Sequence, residues 1–290
     1  MPFQPSYEVP EQRRAYTVLA NNEVKAGNGR IGCLMLHGFM GSPVSSHDMA
    51  KFLAQYGITV HCPLLPGHGN LPQKLYKVSR RDWIAEAEEA LDKLRQLTDH
   101  IFVMGHSMGA VLSAYLASKN DDIRGMVLIA PLYDVPDPRI KLAVIAKYFM
   151  PWFYPLKHKS TDKELFLGRV KDFNPDIDVH DPSLKDWLMG ATRIPLSGTA
   201  QLVRMAQAGR KLWPKIKIPT IILQGDSDPA VPADSAKTIF NAIQTEDKQL
   251  EMFADTGHEL MRVWDPAHSK VWQKIQQFIC DHVLSEQQTA

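Results

Sequence analysis

The segment Gly105-His106-Ser107-Met108-Gly109 places a serine between two glycines. A serine hydroxyl held clear of its backbone can act as a nucleophile toward a carbonyl carbon. The apolar run Ile101-Phe102-Val103-Met104 precedes the segment, and the helix-like run Ala110 to Ala117 follows it. Strand, G-x-S-x-G and helix in that order make a sharp turn that lifts the hydroxyl out of the chain. The glycines two positions away on either side are needed because strand and helix approach too closely there for a side chain. A bare G-x-S-x-G in a loop would carry little weight, and the flanking elements supply it.

A serine alone is a poor nucleophile. It needs a base within hydrogen-bond reach, and the base needs an orienting carboxylate. Two loops that follow apolar runs offer them: Gly225-Asp226-Ser227-Asp228-Pro229-Ala230-Val231-Pro232, and Asp255-Thr256-Gly257-His258. His258 competes with His158 and His180 in an irregular middle stretch, and with His268 and His282 on a final helix. Only His258 sits in a glycine-containing loop just past a strand, so it is the preferred base. Asp228 is the preferred acid. Asp226 is closer to its strand and suits a turn cap, and it is the alternative. Asp255 is so near His258 in sequence that a short loop tends to hold its carboxylate off the ring nitrogen facing away from Ser107.

Attack on a carbonyl also needs two preorganised N–H donors for the oxyanion. Met108, just after the serine at a helix start, supplies one. The turn Leu36-His37-Gly38-Phe39-Met40-Gly41-Ser42-Pro43 supplies the other through the Phe39 N–H, with Gly38 allowing the bend. His37 and His68 have no partner at zinc spacing, so hydrogen bonding within their turns is expected and no metal site is. His106 is expected to buttress the turn at Ser107. Gly67, Gly69 and Gly105 make no G-x-G-x-x-G phosphate loop, so no dinucleotide site or other cofactor is expected.

Short apolar runs alternating with helical patterns must position these groups. Strands are expected at 31–36, 58–62, 101–104, 126–130, 220–224 and 249–253. Helices are expected at 46–56 (ended by Gly57), 80–97, 108–118, 233–243 and 267–283. This alternation means a parallel sheet covered by helices on both faces. The rhythm breaks after Pro131 and resumes near Thr220, with many Pro, Trp, Phe and Met residues between and no clean strand. The expected organisation is one core domain, residues 1–132 and 218–290, carrying a helical insertion over 133–217. Such an insertion stands over the carboxyl ends of the strands, where open α/β sheets bind ligands.

Composition narrows the partners. The chain has 290 residues, net charge +1, 44% hydrophobic and 22% charged residues. That is ordinary for a globular protein, and no nucleic acid or other polyanion partner is implied. Three cysteines, Cys33, Cys62 and Cys280, argue against a disulfide framework and for a reducing compartment, and cytoplasmic localisation is the expectation. The first residues lack a basic and then apolar signal pattern, and no run reaches the length of a membrane span.

The ordered set Leu36-His37-Gly38-Phe39, Leu65-Pro66-Gly67-His68-Gly69, Gly105-His106-Ser107-Met108-Gly109, Gly225-Asp226-Ser227-Asp228 with Val231-Pro232, and Gly257-His258 resembles the α/β-hydrolase superfamily. Within it, the set resembles the bacterial carboxylesterase and monoacylglycerol-lipase-like group. The resemblance implies an α/β-hydrolase fold with a helical cap, or lid. It implies Ser107, Asp228 and His258 as a catalytic triad, with Phe39 and Met108 as oxyanion donors. Ala110 stands where many members have a further glycine. The implied activity is hydrolysis of small-molecule carboxylic esters, monoacylglycerols included, through an acyl-enzyme and without a cofactor. A thioesterase, a carbon–carbon bond hydrolase and a cofactor-free perhydrolase share the triad, and a slow-turnover ligand receptor keeps it for binding. Dehalogenases and epoxide hydrolases of this fold resemble one another in using Asp where this chain has Ser107, and are discounted. The insertion matches no motif. The candidate substrate contacts are His106 beside the serine and, in the insertion, Trp152, Trp187 and Trp213, against the plainer reading that the tryptophans pack a small core. The basic and apolar stretch 139–148 is suited to touching a lipid surface, though an ordinary lid helix fits it as well.

Overall fold

The structure, a computed structural model, describes residues 8–21, 30–158, 163–171 and 176–284. In chain order the strands are β1 (Tyr16–Val18), β2 (Ile31–Leu36), β3 (Ile58–Cys62), β4 (His100–His106), β5 (Ile123–Ile129), β6 (Trp152–Phe153), β7 (Ile194–Pro195), β8 (Thr220–Gly225) and β9 (Lys248–Phe253). The helices are α1 (His47–Gln55), α2 (Arg80–Arg95), α3 (Met108–Ala117), α4 (Pro138–Lys141), α5 (Ala143–Ala146), α6 (Lys163–Lys171), α7 (Lys185–Thr192), α8 (Leu196–Leu212), α9 (Ala233–Ala242) and α10 (His268–Leu284).

Seven strands form one sheet in the order β1-β3-β2-β4-β5-β8-β9. Every pairing is parallel except that of β1 with β3, which is antiparallel. Strands β2, β3 and β8 are buried along their whole length, as a sheet covered on both faces requires. Side chains still alternate between the faces with a period of two. Leu34, Leu36, Val103, Leu128 and Ile222 point into one core with α2, α3, α8 and α9. Cys33, Met35, Phe102, Met104, Val127 and Leu223 point into the other with α1 and α10. Each fully buried Leu, Ile or Met in these layers contributes about 1.5–3 kcal/mol, so the carboxyl ends of the central strands are rigid mounts.

Local signals fix the helix ends. Asp82 accepts a hydrogen bond from the Ser79 N–H at 2.8 Å, closing the first turn of α2. Gly57, at φ 81°, ends α1 as expected. Helix α3 is buried on nearly all sides, which suits its place behind the serine.

Between β5 and β8 the chain forms α4 to α8. It also forms β6 and β7, which pair antiparallel as a two-stranded ribbon. The ribbon differs from the expectation of no clean strand over 133–217. Two-residue strands flanked by Pro151 and ending at Pro195 are too short to show an alternating pattern. A small cluster, with Leu167, Val170, Val179 and Leu188 among its members, packs this region against Leu71. Asp134 pairs with both Lys141 and Arg210 at 2.7 Å, tying the start of the excursion to α8. No described helix is long and apolar enough to cross a membrane.

Candidate active site

The sharp turn between β4 and α3 carries Ser107 at φ 54° and ψ −114°, a strained conformation for a residue with a side chain. The fold holds it there from both sides. Ser107 N–H donates to the Ile129 carbonyl at 2.9 Å, and the Ser107 carbonyl accepts from Leu132 N–H at 3.2 Å. A Cβ on Gly105 would overlap the Gly109 backbone, and a Cβ on Gly109 would overlap the Leu36 carbonyl. The two glycines are therefore steric requirements of the turn.

Asp228 follows β8 and His258 follows β9. A close backbone approach brings the two loops together: Ser227 N–H donates to the Thr256 carbonyl at 3.1 Å, and a Cβ on Gly225 would overlap that same carbonyl. His258 Nδ1 lies 2.8 Å from Asp228 Oδ2. With the carboxylate accepting, Nδ1 carries the proton and Nε2 is left as the free acceptor. The Asp228 side chain is fully buried. Its Oδ1 accepts from the Ala230 and Val231 N–H groups, both at 2.8 Å. Burial pushes the carboxyl upward, but the His258 hydrogen bond, the imidazole charge and the two backbone donors outweigh it and hold the carboxyl below its ordinary value. Asp226 is exposed and, among the described residues, accepts only from the Ser227 hydroxyl at 2.9 Å. Of the two aspartates, Asp228 is the one that meets His258.

Gln224, which the sequence reading passed over, donates from Nε2 to Asp228 Oδ2 at 3.0 Å and to the Gly225 carbonyl at 3.0 Å. It clamps the same oxygen that orients His258. Its signal was available: a buried amide at the end of an otherwise apolar strand, four residues before the aspartate.

His106 donates from Nε2 to the His258 carbonyl at 2.9 Å, and the two rings lie 4.6 Å apart. The residue before the serine therefore buttresses the histidine loop. Burial lowers the pKa of His106, which suits a neutral ring with one donor. Among the described residues the Ser107 hydroxyl makes no hydrogen bond, and catalytic contacts are often long until substrate binds.

Gly38 is packed so closely that a Cβ there would lie 3.2 Å from the Ser107 Cβ. This brings the β2 turn beside the serine. The Phe39 ring meets His68 and Trp83 edge-on at 6.0 Å. Met108 is the first residue of α3, so its N–H has no acceptor within the helix. His37 takes the Leu65 N–H on Nε2 at 3.1 Å and donates from Nδ1 to the Gly38 carbonyl at 3.0 Å. Burial pushes its pKa down to about 3. His68 donates from Nδ1 to the Pro66 carbonyl at 3.1 Å. Both rings brace turns, and no metal-binding group of side chains occurs among the described residues.

The three tryptophans lie in separate settings. Trp152 is stacked on Tyr76 at 5.0 Å and covered by the Arg193 guanidinium at 4.2 Å. Trp187 is half-buried against the small cluster of the excursion. Trp213 is fully buried in the main core beneath Gly209, a packing position.

Comparison with known proteins places the chain in a family. Residues 28–263 match the model of the family described as serine aminopeptidase, S33. The chain is 32% identical over 245 residues to the thermostable monoacylglycerol lipase of Bacillus sp. (strain H-257), covering 84% of this chain and 89% of that one. It is 24% identical to a carboxylesterase of Bacillus subtilis (strain 168), covering 85% and 91%. Its fold is similar to that of Paleococcus ferrophilus monoacylglycerol lipase, with a TM-score of 0.69, 20% identity, and 92% and 98% of the chains covered. The chain belongs to the serine aminopeptidase, S33 family of the α/β-hydrolase superfamily.

Proposed function

We propose that the protein is a serine hydrolase of carboxylic esters, of the monoacylglycerol-lipase or carboxylesterase kind. The observation that carries this reading is the buried Asp228–His258 pair at 2.8 Å, set beside a serine on a strained strand-to-helix turn. His258 Nε2 takes the Ser107 proton as the hydroxyl oxygen attacks the ester carbonyl. The Phe39 and Met108 N–H groups hold the oxyanion. The proton passes to the departing alcohol, water adds to the acyl-enzyme by the same route, and the acid leaves. Asp228 fixes the tautomer and stabilises the imidazolium. No cofactor enters this chemistry.

The names of the full-length relatives, a monoacylglycerol lipase and a carboxylesterase, support esters over the peptides in the family's description. Residues 133–217 are proposed as the cap over a core of 1–132 and 218–290. Trp152 and Trp187 are its candidate substrate contacts, and His106 serves the histidine loop. The cap face carries Leu142, Ile145, Tyr148 and Phe149, the last 82% exposed, beside Arg139, Lys141 and Lys147. Apolar residues edged with cations suit transient contact with a lipid surface. The three free cysteines support a reducing, cytoplasmic setting.

A panel of p-nitrophenyl esters from acetate to palmitate, run beside monoacylglycerols and acyl-thioesters, tests the reading. Turnover of monoacylglycerols and esters above thioesters is expected. Faster thioester turnover would favour a thioesterase, and binding without turnover would favour a receptor.

A further inference from the structure

A groove of about 700 Å³ runs between the start of α2 and one face of α8. That volume lies within the range of about 300–1,000 Å³ usual for small-molecule sites. None of its lining residues belongs to the site described above. Four of them are cations: Arg80 and Arg81 from α2, and Arg204 and Lys211 from α8. None is acidic.

Several cations elsewhere on the molecule are held by acids. Arg95 is paired with Asp92 and Asp122, Arg210 and Lys141 with Asp134, and Lys274 with Glu251. Arg80, Arg81, Arg204 and Lys211 have no acidic partner among the described residues. The lack follows from sequence. Helix α8 carries no Asp or Glu over 17 residues. The acid in the first turn of α2, Asp82, is occupied by the Ser79 N–H and hydroxyl. Glu88, further along α2, is occupied by the Tyr115 hydroxyl.

Neutral donors complete the lining. Gln201 Oε1 faces the Arg80 N–H at 3.4 Å, which leaves its amide NH2 for the groove. Gln207 lies further along the same face of α8, and Ala208 beside it leaves room for close approach. Spacings of three and seven residues put Gln201, Arg204, Ala208 and Lys211 on one helical stripe. Like charges facing one another across a groove repel, and an anion removes that repulsion while accepting charge-assisted hydrogen bonds. Arginine forks match phosphate oxygens in pairs, and lysine adds a point charge.

We propose that this groove is a binding site for a phosphate-bearing ligand, held between the two helices by Arg80, Arg81, Arg204 and Lys211. The phosphate group is common to free phosphorylated metabolites and to anionic lipid headgroups. More than one cation on each wall favours a ligand with several anionic oxygens.

The test uses the full chain at constant ionic strength. Sodium pyrophosphate is titrated calorimetrically into the wild type and into the Arg81→Glu/Arg204→Glu variant. In a second arm both proteins are sedimented with vesicles of phosphatidylcholine alone, and with vesicles of phosphatidylcholine and phosphatidylglycerol in equal parts. Turnover of p-nitrophenyl acetate, expected to be unchanged in the variant, shows that it is folded. Arg81→Gln/Arg204→Gln, without charge reversal, serves if it is not. Saturable pyrophosphate binding, weakened at least about tenfold in the variant, supports the site with a free phosphate as its ligand. Binding to the phosphatidylglycerol vesicles alone, lost in the variant, supports it with a lipid headgroup. No preference for either phosphate source, or a preference that the variants leave intact, overturns it.

Discussion

Replacing Gln224 by Met should separate activity from stability. The two side chains are close in length, and the site is fully buried, so packing changes little. The substitution removes the Nε2 donor that lies 3.0 Å from both Asp228 Oδ2 and the Gly225 carbonyl. A hydrogen bond to a charged group is worth about 1.5–3 kcal/mol. It also removes Gln224 Oε1, a buried acceptor with no partner among the described residues. Such an atom costs about 1–3 kcal/mol to bury. The two effects nearly cancel, and the unfolding free energy in urea should move by less than about 2 kcal/mol. Activity should not be spared. The oxygen that orients His258 loses its Gln224 anchor and the carboxylate is then held through Oδ1 by Ala230 and Val231, and loosening by about 1 Å can cost on the order of 100-fold in rate. We therefore expect kcat/KM on a soluble ester to fall about 10- to 100-fold, with the far-UV spectrum and the denaturant slope unchanged. Wild-type kcat/KM in a folded Gln224→Met protein would refute the clamping role. A large loss of stability would refute the cancellation.

Three other outcomes follow from the same geometry. Asp228→Asn should lower kcat by roughly 10⁴-fold, because the amide no longer fixes the imidazole tautomer, whereas exposed Asp226→Asn should leave kcat near wild type; the reverse order would move the acid to Asp226. Burial lowers the pKa of His68 from 6.5 to about 4, so its neutral form contributes stability that is complete above the unfolded value and is lost as pH falls toward the folded one. Urea unfolding should show roughly 3 kcal/mol of stability lost over that window on this account, with a smaller loss in His68→Phe, and an identical pH slope in the two proteins would contradict the assignment. Gly109→Ala should destabilise by at least about 3 kcal/mol, since the new methyl meets the Leu36 carbonyl, and a wild-type melting temperature would show that the turn can relax.

Much of this architecture was legible because it follows from burial. Expected strands 31–36 and 58–62 are the observed β2 and β3, and the other parallel strands were found with ends off by one to three residues. Their buried apolar runs announce them, whereas ends such as His100 and His106 are polar and look like loop. The edge strand β1 was missed because it is three residues long and mostly polar in its setting. Ser107 could be read from local sequence because the strained turn demands glycines at fixed offsets. The placement of Asp228 needed more. Asp226 and Asp228 differ in sequence only by two positions, and what separates them is burial and the approach of the Thr256 carbonyl to Ser227. Gln224 escaped for a related reason: a polar residue ending a strand gains meaning only once its partner loop is in place. The tryptophans show the limit of composition, since one is stacked, one packs a minor cluster and one lies in the core.

The central claim is that Ser107 is the nucleophile, and active-site labelling tests it most directly. The protein is treated with a fluorophosphonate and digested, and the modified serine is located by mass spectrometry. The account predicts one phosphonylated residue, Ser107, with ester turnover lost in step with labelling. It predicts no label in a folded Ser107→Ala protein. Labelling of another serine that survives Ser107→Ala, or full turnover in that variant, would contradict it.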